Sequence, residues 1–180
     1  MRLSHKEIFS DIYRRKLWGE GSGGGSLPPA TAPFAALVRK YGAGKRVLDL
    51  GCGDGHAAAL YGIEQYTGID VVPEMVEYCR QMHPWGKFEC LDILSDPLPP
   101  AELVVCKEVT QHLCDQDIEK LLFRLIAYPA VLHCSAVGGL GDIATGEFRG
   151  VKLSSRVSRT THLKSWLAGT TVYVAELWTP

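Results

Sequence analysis

Short apolar runs and helical apolar stripes alternate along this chain of 180 residues. An apolar run of about four to eight residues predicts a buried strand, whereas apolar residues spaced three and four apart predict one face of a helix. The predicted strands cover residues 46–50, 66–69, 88–91, 103–106, 130–136 and 171–178. The predicted helices cover residues 4–18, 31–41 and about 55–61, followed by one that starts at Pro73 and one capped by Asp115.

This alternation predicts an α/β fold, because apolar strands joined by helices form a parallel sheet that is covered on both faces. We expect a doubly wound, mostly parallel sheet of six to seven strands, with helices on both faces and an antiparallel C-terminal strand. The chain is long enough for one domain with a substantial core. In such sheets, ligands bind beyond the carboxyl ends of the strands, where the strand order reverses.

Three glycines at alternate positions, Gly51, Gly53 and Gly55, directly follow the first strand. They predict a tight turn with few side chains, where the backbone approaches a ligand closely. The dinucleotide-binding fingerprint requires glycine or alanine where this chain has His56, and the preceding strand contains an acid, Asp49. This loop resembles the first motif of the class I S-adenosylmethionine (SAM)-dependent methyltransferases.

The resemblance implies a SAM site built on successive strand ends. A carboxylate at the end of the second strand, Asp70, would accept both ribose hydroxyls. The resemblance makes Asp92 the acceptor for the adenine amino group, assigns the methionine end to Asp49 and the glycine loop, and turns the backbone of Cys106 and Lys107 towards the ammonium group. The implied cofactor-binding set is Asp49, Gly51, Cys52, Gly53, Gly55, Asp70, Val71, Asp92, Ile93, Cys106 and Lys107.

The resemblance also suggests the domain organisation. Residues 46–180 would form the Rossmann-like core, and residues 1–45 would add helices and a glycine-rich loop that covers the cofactor site. The alternative for the glycine-rich stretch, residues 18–26, is a flexible linker. Trp166, Tyr173 and the segment 141–149 are expected to line the acceptor pocket.

Two residues after the fourth strand are candidates for acid–base chemistry. Transfer to a hydroxyl acceptor requires removal of its proton. Glu108 and His112 are four residues apart, so one helical turn would place them on the same side. His112 would act as the general base and Glu108 would orient it. The alternatives are that both residues are structural and that the enzyme works by positioning alone.

Metal assistance is a weaker hypothesis. Glu108, His133 and Asp142 follow or lie within the fourth and fifth strands, and their oxygens would suit magnesium. Their spacing is not that of a known metal motif, so the sequence predicts no metal site.

The sequence favours a small-molecule acceptor methylated on oxygen. The net charge is −1, and the motifs of amino-methylating and cytosine-methylating nucleic-acid enzymes, Asn/Asp-Pro-Pro-Tyr and Pro-Cys, are missing after the fourth strand, which disfavours nucleic acid as the partner. The alternatives are an RNA or protein substrate docked on a basic C-terminal stretch, or a non-catalytic SAM-binding module. The basic stretch contains Arg149, Lys152, Arg156, Arg159 and Lys164.

Composition adds little to this interpretation. The chain is 46% hydrophobic and 22% charged, as expected of a globular domain. No apolar run approaches the ~18 residues needed to cross a bilayer. Residues 1–7 lack the apolar core of a secretory signal, and the six dispersed cysteines suggest reduced thiols, so we expect a cytoplasmic protein. The pattern gives no indication of oligomeric state.

Overall fold

In the part of the chain that the structure describes, seven strands form one mixed sheet in the order β3-β2-β1-β4-β5-β7-β6. The computed structural model describes residues 3–139 and 141–180, so that Met1 and Arg2 of the predicted N-terminal segment, and Leu140, lie outside the described residues. The strands are β1 (Val47–Leu50), β2 (Tyr66–Asp70), β3 (Lys87–Cys90), β4 (Leu103–Lys107), β5 (Val131–Ala136), β6 (Thr160–Ala168) and β7 (Thr171–Trp178).

Strands β1 to β5 pair in parallel, and β7 pairs antiparallel with both β5 and β6. This confirms the predicted α/β fold with a mostly parallel, doubly wound sheet and antiparallel C-terminal strands. The strand order reverses at β1, which lies between β2 and β4. Ligand binding is therefore expected where these three strands end.

Among the described residues, four α-helices flank the sheet: α1 (His5–Arg14), α2 (Pro28–Gly42), α3 (Pro73–Met82) and α4 (Asp115–Leu125). Helices α2 and α3 contribute Phe34 and Val76 to the apolar layer on one face of the sheet. Helix α4 contributes Ile118 and Leu121 to the layer on the other face, and Phe9 of α1 packs at its margin. Both faces are thus covered, which explains the continuous burial of β1, β4 and β5.

Local sequence signals explain where α1 and α2 begin. Helix α1 starts with a capping box, in which the backbone N–H of Glu7 donates to Ser4 Oγ and the Glu7 carboxylate accepts from the Ser4 backbone N–H. Helix α2 begins at Pro28, three residues earlier than predicted, because two prolines are well suited to the first helical turn.

Three further predictions differ from the structure. Helix α1 ends at Arg14 and not at residue 18, because Lys16 adopts a positive φ. The helix expected at 55–61 is only a 3₁₀ turn, Ala58–Leu60, because Gly55 and Gly62 both adopt a positive φ and leave too few residues between them for a stable α-helix. The predicted cap of α4 is wrong as well. Cys114 occupies the N-cap position, and Asp115 is the first helical residue and forms ion pairs instead.

The edge strand β6 was not predicted. It pairs only with β7, and a register shift between His162 and Lys164 marks a bulge. Its nine residues are intermediate or exposed, so they lack the apolar pattern of a buried strand. No helix in the described part of the chain is both long and apolar enough to cross a membrane.

Candidate active site

A cavity of about 630 Å³ lies at the carboxyl ends of β1, β2 and β4. Small-molecule sites usually have volumes of about 300–1,000 Å³. The strand ends supply Asp49, Asp70 and Lys107 to its wall. The N-terminal segment supplies the opposite side, including Trp18 and residues 22–27. The cavity therefore lies between the sheet edge on one side and residues 5–30 on the other.

The glycine loop adopts a backbone conformation that favours glycine at all three positions. Gly51, Gly53 and Gly55 have φ values of 65°, 54° and 75°. Gly51 and Cys52 line the cavity, whereas Gly53 and Gly55 do not. A Cβ atom on Gly53 would overlap Ser22, and one on Gly55 would overlap His83. The structure thus gives Gly51 and Cys52 access to a ligand, and gives the other two glycines a packing role.

Asp49 lies on the cavity wall in a buried position. The Tyr66 hydroxyl donates a hydrogen bond of 2.7 Å to its carboxylate. Burial raises the pKa of Asp49 to about 7, although the Tyr66 hydrogen bond and the charge of Lys107 oppose that shift. A cationic ligand beside Asp49 would favour its ionised form.

Asp70 braces the glycine loop from the end of β2. Its carboxylate accepts from the backbone N–H of Gly53 at 2.9 Å and from that of Val72 at 3.0 Å. Burial raises the pKa of Asp70, and these two hydrogen bonds oppose that shift. Each carboxylate oxygen has a second lone pair, so Asp70 retains acceptor capacity towards the cavity, which it lines together with Val71.

Asp92 is connected to α1 by a contact that the sequence did not indicate. Its carboxylate accepts from His5 Nδ1 at 2.8 Å and from the Leu94 backbone N–H at 2.9 Å. His5 Nε2 lies 3.2 Å from Asp117, and the hydrogen bond with Asp92, outweighing burial, raises the pKa of His5. Burial raises the pKa of Asp92, but the hydrogen bonds that its carboxylate accepts from His5 and Leu94 outweigh burial, so the pKa is lowered overall. Ile93 lines the cavity beside it.

Cys106 and Lys107 take different positions at the end of β4. The Cys106 side chain packs in the apolar layer that faces α4 and does not line the cavity. Lys107 lines the cavity, and its Nζ donates to the Gly25 carbonyl at 2.7 Å and pairs with Glu108. The expected role of the Cys106–Lys107 backbone towards an ammonium group stays a prediction.

His112 and Glu108 do not interact as expected. Glu108 has a φ of 58°, and His112 ends a 3₁₀ turn, so one α-helical turn does not place them side by side. Within the described residues the Glu108 carboxylate pairs with Lys107 and lies 3.4 Å from Gln111 Nε2, with no hydrogen bond to His112. His112 Nδ1 instead lies 2.9 Å from the Glu147 carbonyl oxygen.

This contact defines the tautomer of His112. A carbonyl oxygen only accepts, so His112 Nδ1 carries the hydrogen and Nε2 carries a lone pair, which accepts from Gln111 Nε2 at 3.4 Å. Burial lowers the pKa of His112, although the Glu147 carbonyl and the charge of Glu108 oppose that shift. The imidazole is therefore neutral at pH 7 and lines the cavity in a form that can accept a proton.

Aromatic side chains surround His112. The Trp18 ring lies 4.4 Å from the imidazole at an interplanar angle of 33°, and the Phe148 ring lies 5.8 Å away at 53°. Phe9 is 6.1 Å from Trp18. The sequence pattern predicted neither the contact of His5 with Asp92 nor that of Trp18 with His112, because these partners are distant along the chain. A tryptophan directly before a glycine-rich stretch was the one local signal.

The expected acceptor-pocket wall is partly present. Tyr173 and Phe148 line the cavity, whereas Trp166 does not. The Trp166 ring stacks on Tyr173 at 5.5 Å, and its Nε1 donates to the Ala30 carbonyl at 3.0 Å. Trp166 therefore packs on Tyr173, a wall residue, without lining the cavity itself.

The basic C-terminal stretch is partly neutralised within the fold. Arg149 is buried, donates to the carbonyls of Gly141 and Leu113, and pairs with Asp115. Arg156 also pairs with Asp115, at 2.6 Å. None of the five basic residues of this stretch lines the cavity.

The hypothetical metal ligands are engaged elsewhere. His133 Nε2 lies 2.8 Å from Thr110 Oγ1, and Asp142 accepts from the Asp115 backbone N–H at 2.7 Å. Across residues 3–139 and 141–180, no three His, Cys, Asp or Glu side chains are grouped so that they could hold a metal ion.

The cavity fits an adenosyl ligand on its own geometry. Gly51 leaves no room for a Cβ atom beside Val109, so the backbone itself forms this part of the wall. Tyr61 is buried and lines the cavity, and within the described structure its hydroxyl has no hydrogen-bond partner. Buried hydroxyls are normally paired, so Tyr61 offers a donor to a bound molecule.

Comparison with known proteins agrees with this geometry. Residues 47–128, which run from the start of β1 to just past α4, match the family described as "Methyltransferase domain". The sheet and its flanking helices have the class I, Rossmann-like methyltransferase fold. No curated protein matches the sequence.

Solved structures share the fold at low sequence identity. The chain is similar to magnesium protoporphyrin IX methyltransferase from Synechocystis PCC 6803 with bound SAM, at 16% identity, 99% coverage of both chains and a TM-score of 0.67. It is also similar to the mitomycin 7-O-methyltransferase, at 17% identity and a TM-score of 0.68, covering 99% of this chain and 61% of that one. Human N-acetylserotonin methyltransferase in complex with SAM matches at 21% identity and a TM-score of 0.61, covering 98% and 60%.

Proposed function

We propose that this protein transfers the methyl group of SAM to an oxygen atom of a small molecule, with His112 as the general base. The single observation that carries the proposal is the hydrogen bond from His112 Nδ1 to the Glu147 carbonyl, which leaves Nε2 unprotonated in the cavity wall. Two of the structurally similar proteins are named as acting on small molecules, magnesium protoporphyrin IX and N-acetylserotonin.

The cofactor would occupy the part of the cavity between the glycine loop and α1. SAM supplies an electrophilic methyl group on a sulfonium. Asp70 would bind the ribose hydroxyls through its remaining lone pairs, and Asp92 and Ile93 would hold the adenine. Asp49 and the Gly51–Cys52 backbone would bind the methionine end, where the free Tyr61 hydroxyl adds a further donor.

His112 would take the proton of the acceptor hydroxyl on Nε2. The imidazolium formed in this way keeps its Nδ1–H on the Glu147 carbonyl, which favours the charged form. Glu108 would favour it too, through its negative charge rather than by direct contact. Glu108 thus changes from an orienting group to an electrostatic one in this proposal.

The N-terminal segment would act as a cover for the cofactor site, and residues 46–180 as the catalytic core. Support comes from Ser22, which is hydrogen bonded to Asp54 of the glycine loop, and from Gly25, whose carbonyl accepts from Lys107. The cytoplasmic location expected from the sequence stays a prediction.

A small acceptor is favoured over RNA or protein. The cavity is bounded by the N-terminal segment and by Phe148 and Tyr173, which leaves limited space beside the cofactor. Of the five basic residues of the C-terminal stretch, Arg149 and Arg156 already pair with Asp115. A polyanion would have to displace these ion pairs or rely on the other three residues, which do not line the cavity.

The test combines cofactor binding with methyl transfer. His112→Gln should retain SAM affinity, measured by calorimetry, and should lose about 10²–10⁴ in kcat with any hydroxyl acceptor, as expected on removal of a general base. His162→Gln is the matched control, because His162 is exposed on β6, outside the cavity. Full turnover by His112→Gln would refute the role of the base. Failure of the wild type to bind SAM would refute the whole proposal.

A further inference from the structure

The rim of the cavity carries exposed apolar surface next to His112. Phe148 lines the cavity, yet 58% of its side chain is exposed. Leu27 lines the same cavity and is 52% exposed. A single exposed apolar residue needs no explanation, but here two of them line one concave site, and the Phe148 ring lies 5.8 Å from the imidazole of His112. This surface is suited to an apolar partner.

The aromatic rings leave the edge of the imidazole available. Trp18 lies against a face of His112, at 4.4 Å between ring centroids, and Phe9 and Tyr13 pack on Trp18 in turn. Nε2 is on the edge of the imidazole ring, where Gln111 Nε2 donates to its lone pair over 3.4 Å, a long contact that an acceptor hydroxyl would replace. Phe148 has exposed surface on which a further aromatic ring could stack, within reach of that edge.

The charges of the cavity wall disfavour an anionic acceptor. Of the basic residues that line it, Lys107 pairs with Glu108, and His5 lies between Asp92 and Asp117. His112 is neutral at pH 7. No cation of the described cavity wall is therefore left unpaired for a carboxylate or a phosphate on the acceptor. Burying an unpaired anion there would be costly.

We propose that the acceptor is an uncharged, planar aromatic alcohol, a phenol in the broad sense, whose ring packs on Phe148 and whose hydroxyl meets His112 Nε2. This inference rests on the proposed function. The acceptor oxygen forms the new C–O bond, the S–C bond breaks with its electron pair left on sulfur, and the hydroxyl proton goes to Nε2. The products are an aryl methyl ether, neutral sulfur and an imidazolium.

The basicity of His112 agrees with a phenol. Phenolic hydroxyls titrate near pH 10, as tyrosine does, whereas aliphatic alcohols are far weaker acids. Burial makes His112 a weaker base than free histidine. Such a base removes a phenolic proton more readily than an aliphatic one, because the two pKa values are closer.

Three probes of one skeleton separate aromaticity from charge. They are beta-naphthol, its fully saturated analogue decahydro-beta-naphthol, and beta-naphthol with a carboxylate on the far ring. Methyl transfer is measured with labelled SAM, and binding is measured by calorimetry on the complex with S-adenosylhomocysteine. We expect kcat/KM for beta-naphthol to exceed that of both analogues by about tenfold or more. The saturated analogue loses the stacking on Phe148, and the carboxylated analogue carries an unpaired charge.

Phe148→Leu tests the stacking surface, because it keeps an apolar side chain and removes the ring. The Kd of beta-naphthol should rise about three- to tenfold, with the Kd of S-adenosylhomocysteine unchanged. Phe123→Leu is the matched control, since Phe123 is 78% exposed on α4 and does not line the cavity. It should leave both Kd values unchanged.

The outcomes separate this inference from the proposed function. Equal turnover of the saturated analogue, or preference for the carboxylated one, would overturn the inference while transfer to oxygen stands. Failure of beta-naphthol to bind, or a Kd for beta-naphthol that Phe148→Leu leaves unchanged, would also overturn it. Phe148-dependent binding without methylation of any probe would uphold the aromatic site and refute the proposed transfer.

Discussion

Ser22 and Asp54 exchange two hydrogen bonds across 32 residues of sequence. The Ser22 backbone N–H donates to Asp54 Oδ2 at 2.7 Å, and the Asp54 backbone N–H donates to Ser22 Oγ at 2.9 Å. The Tyr13 hydroxyl is 3.1 Å from the same Ser22 Oγ. The glycine-rich N-terminal stretch is thereby joined to the glycine loop that follows β1, and the two loops form neighbouring parts of one cavity wall.

The first prediction concerns this connection. Ser22→Ala removes the acceptor for the Asp54 N–H, and should increase cleavage after Glu20 by a glutamate-specific protease several-fold, because the opened loop is the form that is cut. S-adenosylhomocysteine should slow cleavage of both proteins if the stretch covers the cofactor. Ser158→Ala, at an exposed position, is the control. A cleavage rate that S-adenosylhomocysteine leaves unchanged would indicate that the glycine-rich stretch is a flexible linker.

The second prediction concerns Asp70. Asp70→Ala should weaken SAM binding by about 30-fold or more, since hydrogen bonds to a charged group contribute about 1.5–3 kcal/mol each. It should also lower the free energy of unfolding by about 1–3 kcal/mol, because the Gly53 and Val72 N–H groups lose their acceptor. Calorimetry and urea denaturation measure the two effects.

The control for that experiment is Glu74→Ala, which removes an exposed carboxylate from the first turn of the neighbouring helix α3. It should leave the affinity for SAM unchanged. An Asp70→Ala protein that binds SAM as tightly as the wild type would exclude Asp70 from the ribose site.

The third prediction is a pH dependence of stability that Asp49 causes. Burial raises the pKa of Asp49 from 3.8 to about 7 in the folded protein. Folding therefore favours the protonated carboxyl. Its contribution to the free energy of unfolding is complete below pH 3.8 and is lost as the pH rises through 7. Between pH 4 and pH 8 the unfolding free energy of the wild type should fall relative to Asp49→Asn, by up to about 4 kcal/mol.

Urea denaturation of both proteins without cofactor gives this difference, and the other titrating groups cancel in it. A difference that does not vary with pH would show that Asp49 is ionised throughout. SAM should reduce the pH dependence, since its ammonium group would stabilise the carboxylate.

The fourth prediction concerns His5, whose pKa is raised by its hydrogen bond with Asp92. The positive charge of His5 stabilises the folded protein. This contribution is fully present below pH 6.5 and is lost as the pH rises through the pKa of His5 in the folded state. His5→Gln should thus lower the melting temperature more at pH 6 than at pH 9, with a loss of about 1 kcal/mol for partly exposed pairs. His162→Gln should show no such difference, and an equal loss at both pH values would contradict the charged form of His5.

The features that the sequence predicted correctly are those that depend on residues close together in the chain. The glycine loop, Asp70 at the end of β2 and the apolar stripe of α4 each follow from neighbouring residues, because local periodicity and turn chemistry determine them. The hydrogen bond between His5 and Asp92 spans 87 residues, and the ring contact of Trp18 with His112 joins equally remote segments. No local pattern encodes such a pair.

The role of Glu108 shows the same limit. A spacing of four suggested a helical pair with His112, but Glu108 adopts a positive φ and turns towards Lys107. The group that orients His112 is a backbone carbonyl, that of Glu147, and a carbonyl has no signature in the sequence. Strand β6 escaped prediction for a different reason, since an edge strand exposed to solvent needs no apolar alternation.

The bulge in β6 has a consequence for the behaviour of the protein at high concentration. The outer side of this strand presents unpaired backbone groups onto which a second chain could add a strand and begin aggregation. The bulge between His162 and Lys164 breaks the regular register there, and Lys164 adds an exposed positive charge to the same strand. Natural proteins use both devices against edge-to-edge association, so this end of the sheet resists fibril growth.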